Sequence, residues 1–163
     1  MAIQLFEELI DENGHLEIPA GTRKILPGTL TNCENLTSVV IHKGVTIVGN
    51  CSFLGCKNLR HVELPEGLRT IDIAAFAGCT SLESIVIPEG VQEIERFAFS
   101  RCVSLTHVEI PASLVTIRRN AFQECQNLSS FTCAGDGPTK VTDDIFYQCP
   151  YMREKRIPGM PNL

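Results

Sequence analysis

The sequence contains no tryptophan, and aromatic residues make up only 6% of its 163 residues. Most of the volume of a packed interior must therefore come from leucine, isoleucine and valine, with eight phenylalanines added. No apolar run approaches the roughly 18 to 20 residues that a membrane-spanning helix needs. Basic residues are also in the minority, with 14 Lys and Arg against 19 Asp and Glu. This acidic balance disfavours nucleic acid and anionic membranes as partners.

Short motifs that carry common chemistry are absent as well. The eight cysteines and four histidines include no Cys-x-x-Cys pair and no Cys/His spacing typical of a zinc site. No glycine-rich phosphate loop, His-Glu-x-x-His motif or EF-hand pattern occurs. We therefore predict a protein that is not an enzyme and that has no catalytic residues, bound metal or cofactor.

The first twelve residues do not resemble a secretory signal, because no Lys or Arg precedes their apolar part and Glu7 and Glu8 lie within it. From the sequence as written we expect a cytoplasmic protein. Apolar residues at Ile3, Phe6 and Ile10 fall at helical spacing. This spacing predicts a small helical cap at the N-terminus, with a partner-binding helix as the alternative.

A pattern of 23 residues recurs along most of the chain. Its copies open on a leucine at Leu36, Leu59, Leu82, Leu105 and Leu128. Apolar residues three and five positions later alternate with other residues, as in a short strand. In several copies a proline ends this strand, because its ring nitrogen cannot donate to a sheet ladder. A glycine turn, a second apolar pair, an Ala-Phe pair and a cysteine complete each copy.

One copy is too short to bury its apolar residues against itself, so successive copies must stack. Stacking places like residues over one another at about 4.8 Å, the spacing of adjacent strands. We therefore predict a single domain over residues 1–163. It comprises a cap at 1–12, repeats at 13–35, 36–58, 59–81, 82–104, 105–127 and 128–151, and a partial repeat with a C-terminal cap at 152–163.

The motif L-x-x-I-x-I-P-x-x-V-x-x-I-x-x-x-A-F-x-x-C-x-x, as it stands from Leu82 to Ser104, resembles the BspA-type class of leucine-rich repeat. The resemblance implies an α/β-type repeat fold, a right-handed solenoid with short parallel strands and one sheet on its concave side. It also implies a non-catalytic scaffold that binds other proteins. Members of such families are often surface-exposed or secreted, and no catalytic residue carries over.

Six of the cysteines hold the same repeat position, at Cys33, Cys56, Cys79, Cys102, Cys125 and Cys149. We interpret them as a buried column of reduced thiols, because neighbouring side chains of a parallel stack point the same way and suit disulfides poorly. Cys51 and Cys133 lie outside the column, and Cys133 is expected to be buried and inert. A thiol-redox protein, the alternative, would need an exposed thiol of low pKa.

Three histidines lie 46 residues apart, two repeats, at His15, His61 and His107. Glu17, Glu63 and Glu109 follow them two positions later, on the side of the strand opposite to the buried residues. Histidines two strands apart are separated by about 10 Å, too far to share a zinc ion with ligands at about 2 Å. Duplication of a two-repeat block explains the alternation without any function, and a recognition surface is the alternative.

We predict that a partner binds the exposed face of the parallel sheet, and that the chain is a monomer. The partner is expected to be another protein, or else a glycan. Because histidine titrates near pH 6.5, binding is expected to depend on pH. The competing hypothesis is a purely structural spacer, or a fragment of a longer surface-adhesin repeat array. The predicted binding residues are Ser38, Val40, His61, Glu63, Ser84, Val86, His107, Glu109, Ser130 and Thr132.

Overall fold

A computed structural model describes residues 6–142, 144–153 and 155–160 of the chain. Its elements are twelve short β-strands, which fall into two rows. The first row consists of β1 (His15–Glu17), β3 (Ser38–Val40), β5 (His61–Glu63), β7 (Ser84–Val86), β9 (His107–Ile110) and β11 (Ser130–Cys133). The second row consists of β2 (Lys24–Ile25), β4 (Ile47–Val48), β6 (Thr70–Ile71), β8 (Glu93–Ile94), β10 (Thr116–Ile117) and β12 (Lys140–Val141).

All strand pairs are parallel, and the register between paired strands is 23 residues throughout the first row. His15 lies beside Ser38, for example, and Ser84 lies beside His107. The chain is thus a parallel-strand solenoid of about six turns, as the repeat predicts. Proline or glycine turns connect the rows, and glycines such as Gly67 and Gly90 have φ angles of 91° and 102°, which only glycine adopts easily.

The interior is built from columns of like residues, one from each turn. The phenylalanines Phe53, Phe76, Phe99 and Phe122 are fully buried. Their rings stack nearly parallel, with centroids 5.0 to 5.4 Å apart. The opening leucines form a second column, which is also fully buried. Each turn is therefore covered on both sides by its neighbours, and this burial supplies the hydrophobic stabilisation that a single turn lacks.

The turns that carry the Ala-Phe pair form a third set of contacts along the stack. The Phe76 N–H donates to the Ala98 carbonyl over 2.8 Å, and the Phe99 N–H donates to the Ala121 carbonyl over the same distance. Cysteine side chains bond along the stack as well, since the Cys102 thiol donates to the Phe76 carbonyl over 3.2 Å. The backbone of this side is thus hydrogen-bonded from turn to turn without forming regular strands.

The sequence interpretation expected one sheet, and the structure differs from it in two respects. The second apolar pair of each repeat forms a strand row of its own, a six-stranded sheet from β12 to β2. The first row is divided into two three-stranded sheets, β1-β3-β5 and β7-β9-β11. The second row escaped prediction because its strands are only two residues long, too short to show an alternating pattern.

The prediction of an N-terminal helical cap is wrong for the part that the structure describes. Helical backbone is limited there to Phe6 and Glu7, residues 8 and 9 form a turn, and no complete helix lies among the described elements. The Asp11 carboxylate accepts hydrogen bonds from the N–H groups of Asn13 and His15, at 2.8 and 2.9 Å, and so turns the chain into β1. Phe6 and Ile10 still pack against the core, whereas Ile3 lies outside the described residues.

Candidate partner-binding surface

The ten residues predicted to bind a partner all lie on the first strand row, at positions that alternate with core residues. In β7, for example, Ile85 is 1% exposed, whereas Val86 is 57% exposed and Ser84 is also exposed. This alternation follows from the period of a strand, in which successive side chains point to opposite faces. The outward-facing side chains of the row therefore have no role in the core.

The face is interrupted between β5 and β7, where no ladder pairs the strands. In three other turns, the N–H of the residue that directly follows the strand donates to a carbonyl of the next strand at 2.9 to 3.0 Å. These residues are Ile18, Ile41 and Ile87. The Leu64 N–H, which occupies the same repeat position, makes no such bond. Val62 is only half-buried, while its counterpart in β7 is buried. The two strands have separated by enough to expose the residues between them.

A groove of about 480 Å³ extends across the strand face from β1 to β7 and includes this separation, after which we name it the groove between β5 and β7. It brings together six of the predicted residues, namely Ser38, Val40, His61, Glu63, Ser84 and Val86. His107, Glu109, Ser130 and Thr132 lie outside it, on the same strand row. Sequence reasoning missed most of the remaining lining residues because they occupy core or strand-end positions in the repeat, whereas His15 holds the outward position of His61 and was left out of the predicted set. The remaining lining residues are His15, Val39, Val62, Leu64 and Pro88.

Histidine and serine side chains are paired across some strands of this face and not across others. His15 Nδ1 lies 2.7 Å from Ser38 Oγ, and His107 Nδ1 lies 2.9 Å from Ser130 Oγ. His61 and Ser84 hold the same relative positions, but no hydrogen bond joins them in this structure. The polar groups of His61 and Ser84 therefore remain available at the groove.

Charges are distributed unevenly between the strand face and the rest of the surface. The Glu17 carboxylate lies 3.5 Å from His42 Nε2. Glu63 makes no ion pair among the described residues. On the second strand row, by contrast, Arg118 contacts two carboxylates, Glu93 at 2.8 Å and Glu95 at 3.4 Å, and they raise its pKa. The charge of Arg118 is thus compensated beside the second row, while Glu63 has no such partner among the described residues.

The cysteine column offers no reactive thiol at this surface. Cys56 and Cys102 are fully buried, and desolvation raises the pKa of each to about 12. The thiols are therefore protonated at neutral pH and donate hydrogen bonds to buried carbonyls. Cys133, which the sequence interpretation expected to be buried, is half-buried because the loop after β11 departs from the repeat, and desolvation raises its pKa too.

Residues 6–142, 144–153 and 155–160 contain no cluster of three or more histidine, cysteine, aspartate or glutamate side chains able to hold a metal ion. No helix in these same ranges has the length and apolar character required to cross a bilayer.

Comparison with solved structures finds bacterial leucine-rich repeat proteins. A leucine-rich repeat protein from Bacteroides ovatus is 34% identical with a TM-score of 0.76, over 84% of this chain and 35% of that one. A leucine rich cell surface protein from Faecalibacterium prausnitzii is 33% identical with a TM-score of 0.73, over 76% of this chain and 33% of that one. The T. pallidum leucine rich repeat protein is 26% identical with a TM-score of 0.68, over 88% and 80%.

The chain thus spans about a third of the length of the B. ovatus and F. prausnitzii proteins, and most of the length of the T. pallidum protein. A search of curated proteins found no significant match. A family model described as the BspA type leucine rich repeat region matches residues 23–153 in six copies. The chain therefore belongs to the BspA-type leucine-rich repeat family.

Proposed function

We propose that this chain is a non-catalytic scaffold that recognises another protein through the exposed face of its first strand row. The observation that carries the proposal is the set of side chains on that face that do not pack in the core, Val86 above all, at 57% exposure. A rigid stack holds such side chains in fixed positions, so binding orders few of them and loses little conformational entropy. Membership of a leucine-rich repeat family supports the same function, because such proteins generally bind other proteins.

The experiment begins with a photo-reactive residue placed at Val86 of the intact protein, which is used to cross-link and identify the bound protein. A double charge reversal, Glu63→Lys with Glu109→Lys, is then expected to weaken binding of that protein. The matched control is Glu12→Lys with Glu34→Lys, which makes the same charge change at exposed positions outside the strand rows. Unchanged binding by the first variant, with an unaltered circular dichroism spectrum, would contradict the proposal.

The second candidate function is a structural spacer within a longer protein. It is favoured by the coverage of two of the similar structures, since this chain corresponds to 33% of one and 35% of the other. A spacer requires length and stiffness but no particular side chain on its face. Under this hypothesis, replacing Val40, Val86 and Thr132 together with serine leaves every function of the full-length protein intact, whereas deleting one 23-residue repeat changes it.

A further inference from the structure

We propose that the groove between β5 and β7 receives a lysine or arginine side chain of the partner protein, with the Glu63 carboxylate as its counter-ion. The inference rests on the proposed function, because it assigns the chemistry of the partner at one point on the same face. The groove lies where the strand ladder is interrupted, so its walls belong to two different three-stranded sheets.

Aliphatic groups form the floor of the groove. Val62 is half-buried here, although residues at its repeat position in the neighbouring turns are buried, and Pro88 is also half-buried beside it. Val86 stands exposed at the rim. The long hydrocarbon stems of lysine and arginine cover apolar surface of this kind while their charged ends stay near polar groups. Burial of Val62 and Val86 would contribute the apolar part of the binding.

A negative charge lies at the same place. Glu63 is the one carboxylate that lines the groove, and no lysine or arginine lines it. Its charge is not compensated by an ion pair within the described part of the chain. Glu109, two strands farther along the same face, is exposed and likewise lacks an ion pair among the described residues. A cationic partner group is thus the electrostatic complement of this surface.

The hydrogen-bonding groups left free by the interruption fit the same occupant. An ammonium or guanidinium group has donors only, so it needs acceptors. The Ser84 hydroxyl is one of these, because His61 does not bond to it as His15 bonds to Ser38. The Glu63 carboxylate supplies the other acceptors. An anionic side chain would face Glu63 without a compensating charge, and an uncharged aliphatic chain would leave these acceptors unused.

The test is an NMR titration of the isotopically labelled intact chain at low ionic strength with three synthetic heptapeptides. The first alternates valine with lysine, and the other two replace lysine by norleucine or by glutamate. The lysine peptide is expected to shift the signals of Val62, Glu63 and Val86 in a saturable way and to bind more tightly than the other two. Equal binding of the norleucine peptide, shifts that lie elsewhere, or no saturable shift would overturn the proposal.

A pair of variants then measures how much the negative charge of Glu63 contributes to binding of the lysine peptide. Glu63→Gln is expected to weaken binding of the lysine peptide about two- to fivefold, the effect of one partly exposed ion pair, whereas Glu34→Gln should leave it unchanged. If the natural partner depends on the strand face but Glu63→Gln leaves lysine-peptide affinity unaltered, this inference fails and the proposed function stands. If the lysine peptide binds as expected while the natural partner does not depend on the face, the proposed function fails and the assignment of a partner side chain to the groove fails with it, and only the preference of the groove for a cationic peptide remains.

Discussion

Strands β5 and β9 have nearly the same sequence but differ in how they pair with the strand that follows them in the row. The sequences His61-Val62-Glu63-Leu64 and His107-Val108-Glu109-Ile110 differ only in their last residue, which is leucine in the first and isoleucine in the second. β9 pairs with β11 along four residues, and its histidine contacts a serine of that strand. β5 does not pair with β7 at all.

The two turns on either side of this interruption nevertheless stay joined elsewhere. In the second row Thr70 lies beside Glu93, and Ile71 lies beside Ile94. At the Ala-Phe turns the Phe76 N–H still donates to the Ala98 carbonyl over 2.8 Å. The comparison shows that the stack tolerates loss of one ladder when its core columns and its other two sides are intact.

The largest expected effect comes from breaking a column that is continuous across the interruption. Phe99→Ala removes a fully buried ring that stacks on Phe76 and Phe122 at 5.4 and 5.3 Å. The free energy of unfolding should fall by about 3 to 5 kcal/mol, the usual cost of deleting a core phenylalanine. Urea denaturation followed by circular dichroism measures the loss.

The control is Phe97→Ala, two residues earlier in the same turn. Phe97 is 38% exposed, whereas Phe99 is fully buried, so truncating Phe97 removes less buried apolar surface. The expected change is small by comparison. Similar losses for the two variants would show that the stacked rings are not the main support of the coil.

The next prediction concerns the pH dependence of the free energy of unfolding, to which the buried thiols contribute. Burial raises the pKa of Cys102 to about 12, well above an ordinary thiol value of about 8.5. Between these values the unfolded chain releases this proton and the folded chain keeps it. The free energy of unfolding should therefore be intact below the lower value and should fall as the pH rises, by about 1.4 kcal/mol per pH unit for each such thiol.

Cys102→Ala removes one of these thiols and should make the fall shallower by about 1.4 kcal/mol per pH unit over that range. Val91→Ala, which also truncates a fully buried side chain, serves as the control because it leaves every thiol in place. Urea denaturation from neutral to alkaline pH gives both slopes. A wild-type stability that does not change with alkaline pH would contradict the buried position of the column.

The core could be predicted from the sequence, because leucine, phenylalanine and cysteine recur at fixed positions and stacking is the one way to bury them all. The alternation of Ile85 and Val86 likewise predicted which side chains face outwards. The interruption could not be predicted in this way. Val62 and Leu64 are as apolar as their counterparts in other turns, and the sequence does not reveal how far two strands stand apart. We found no contact that explains why the separation occurs at this pair.

A smaller effect is expected where one residue breaks the otherwise regular Ala-Phe column. Ser52 stands where three later turns have alanine, at Ala75, Ala98 and Ala121, and its hydroxyl is buried without a hydrogen-bond partner in this structure. Ser52→Ala should raise the free energy of unfolding by about 1 kcal/mol, since it removes an unsatisfied polar group and keeps the packing. The converse change, Ala75→Ser, should lower it. Thermal or urea denaturation distinguishes the two signs, and a loss of stability in Ser52→Ala would mean that the hydroxyl does find a partner.

The most direct test of the comparison is amide hydrogen exchange along the strand row, although its expected effect is the smallest. The amides of Ile41 and Ile87 donate to the next strand, and the Leu64 amide does not. A net hydrogen bond of about 0.5 to 1.5 kcal/mol corresponds to roughly threefold to tenfold slower exchange by local opening. The Leu64 amide should therefore exchange faster than the other two by about this factor.

Leu64→Ile, which restores the residue found in the other strands, is expected to slow exchange at position 64, because β-branched side chains favour the extended backbone. Equal protection at all three amides would show that β5 and β7 pair in solution, and the groove between them would then be closed.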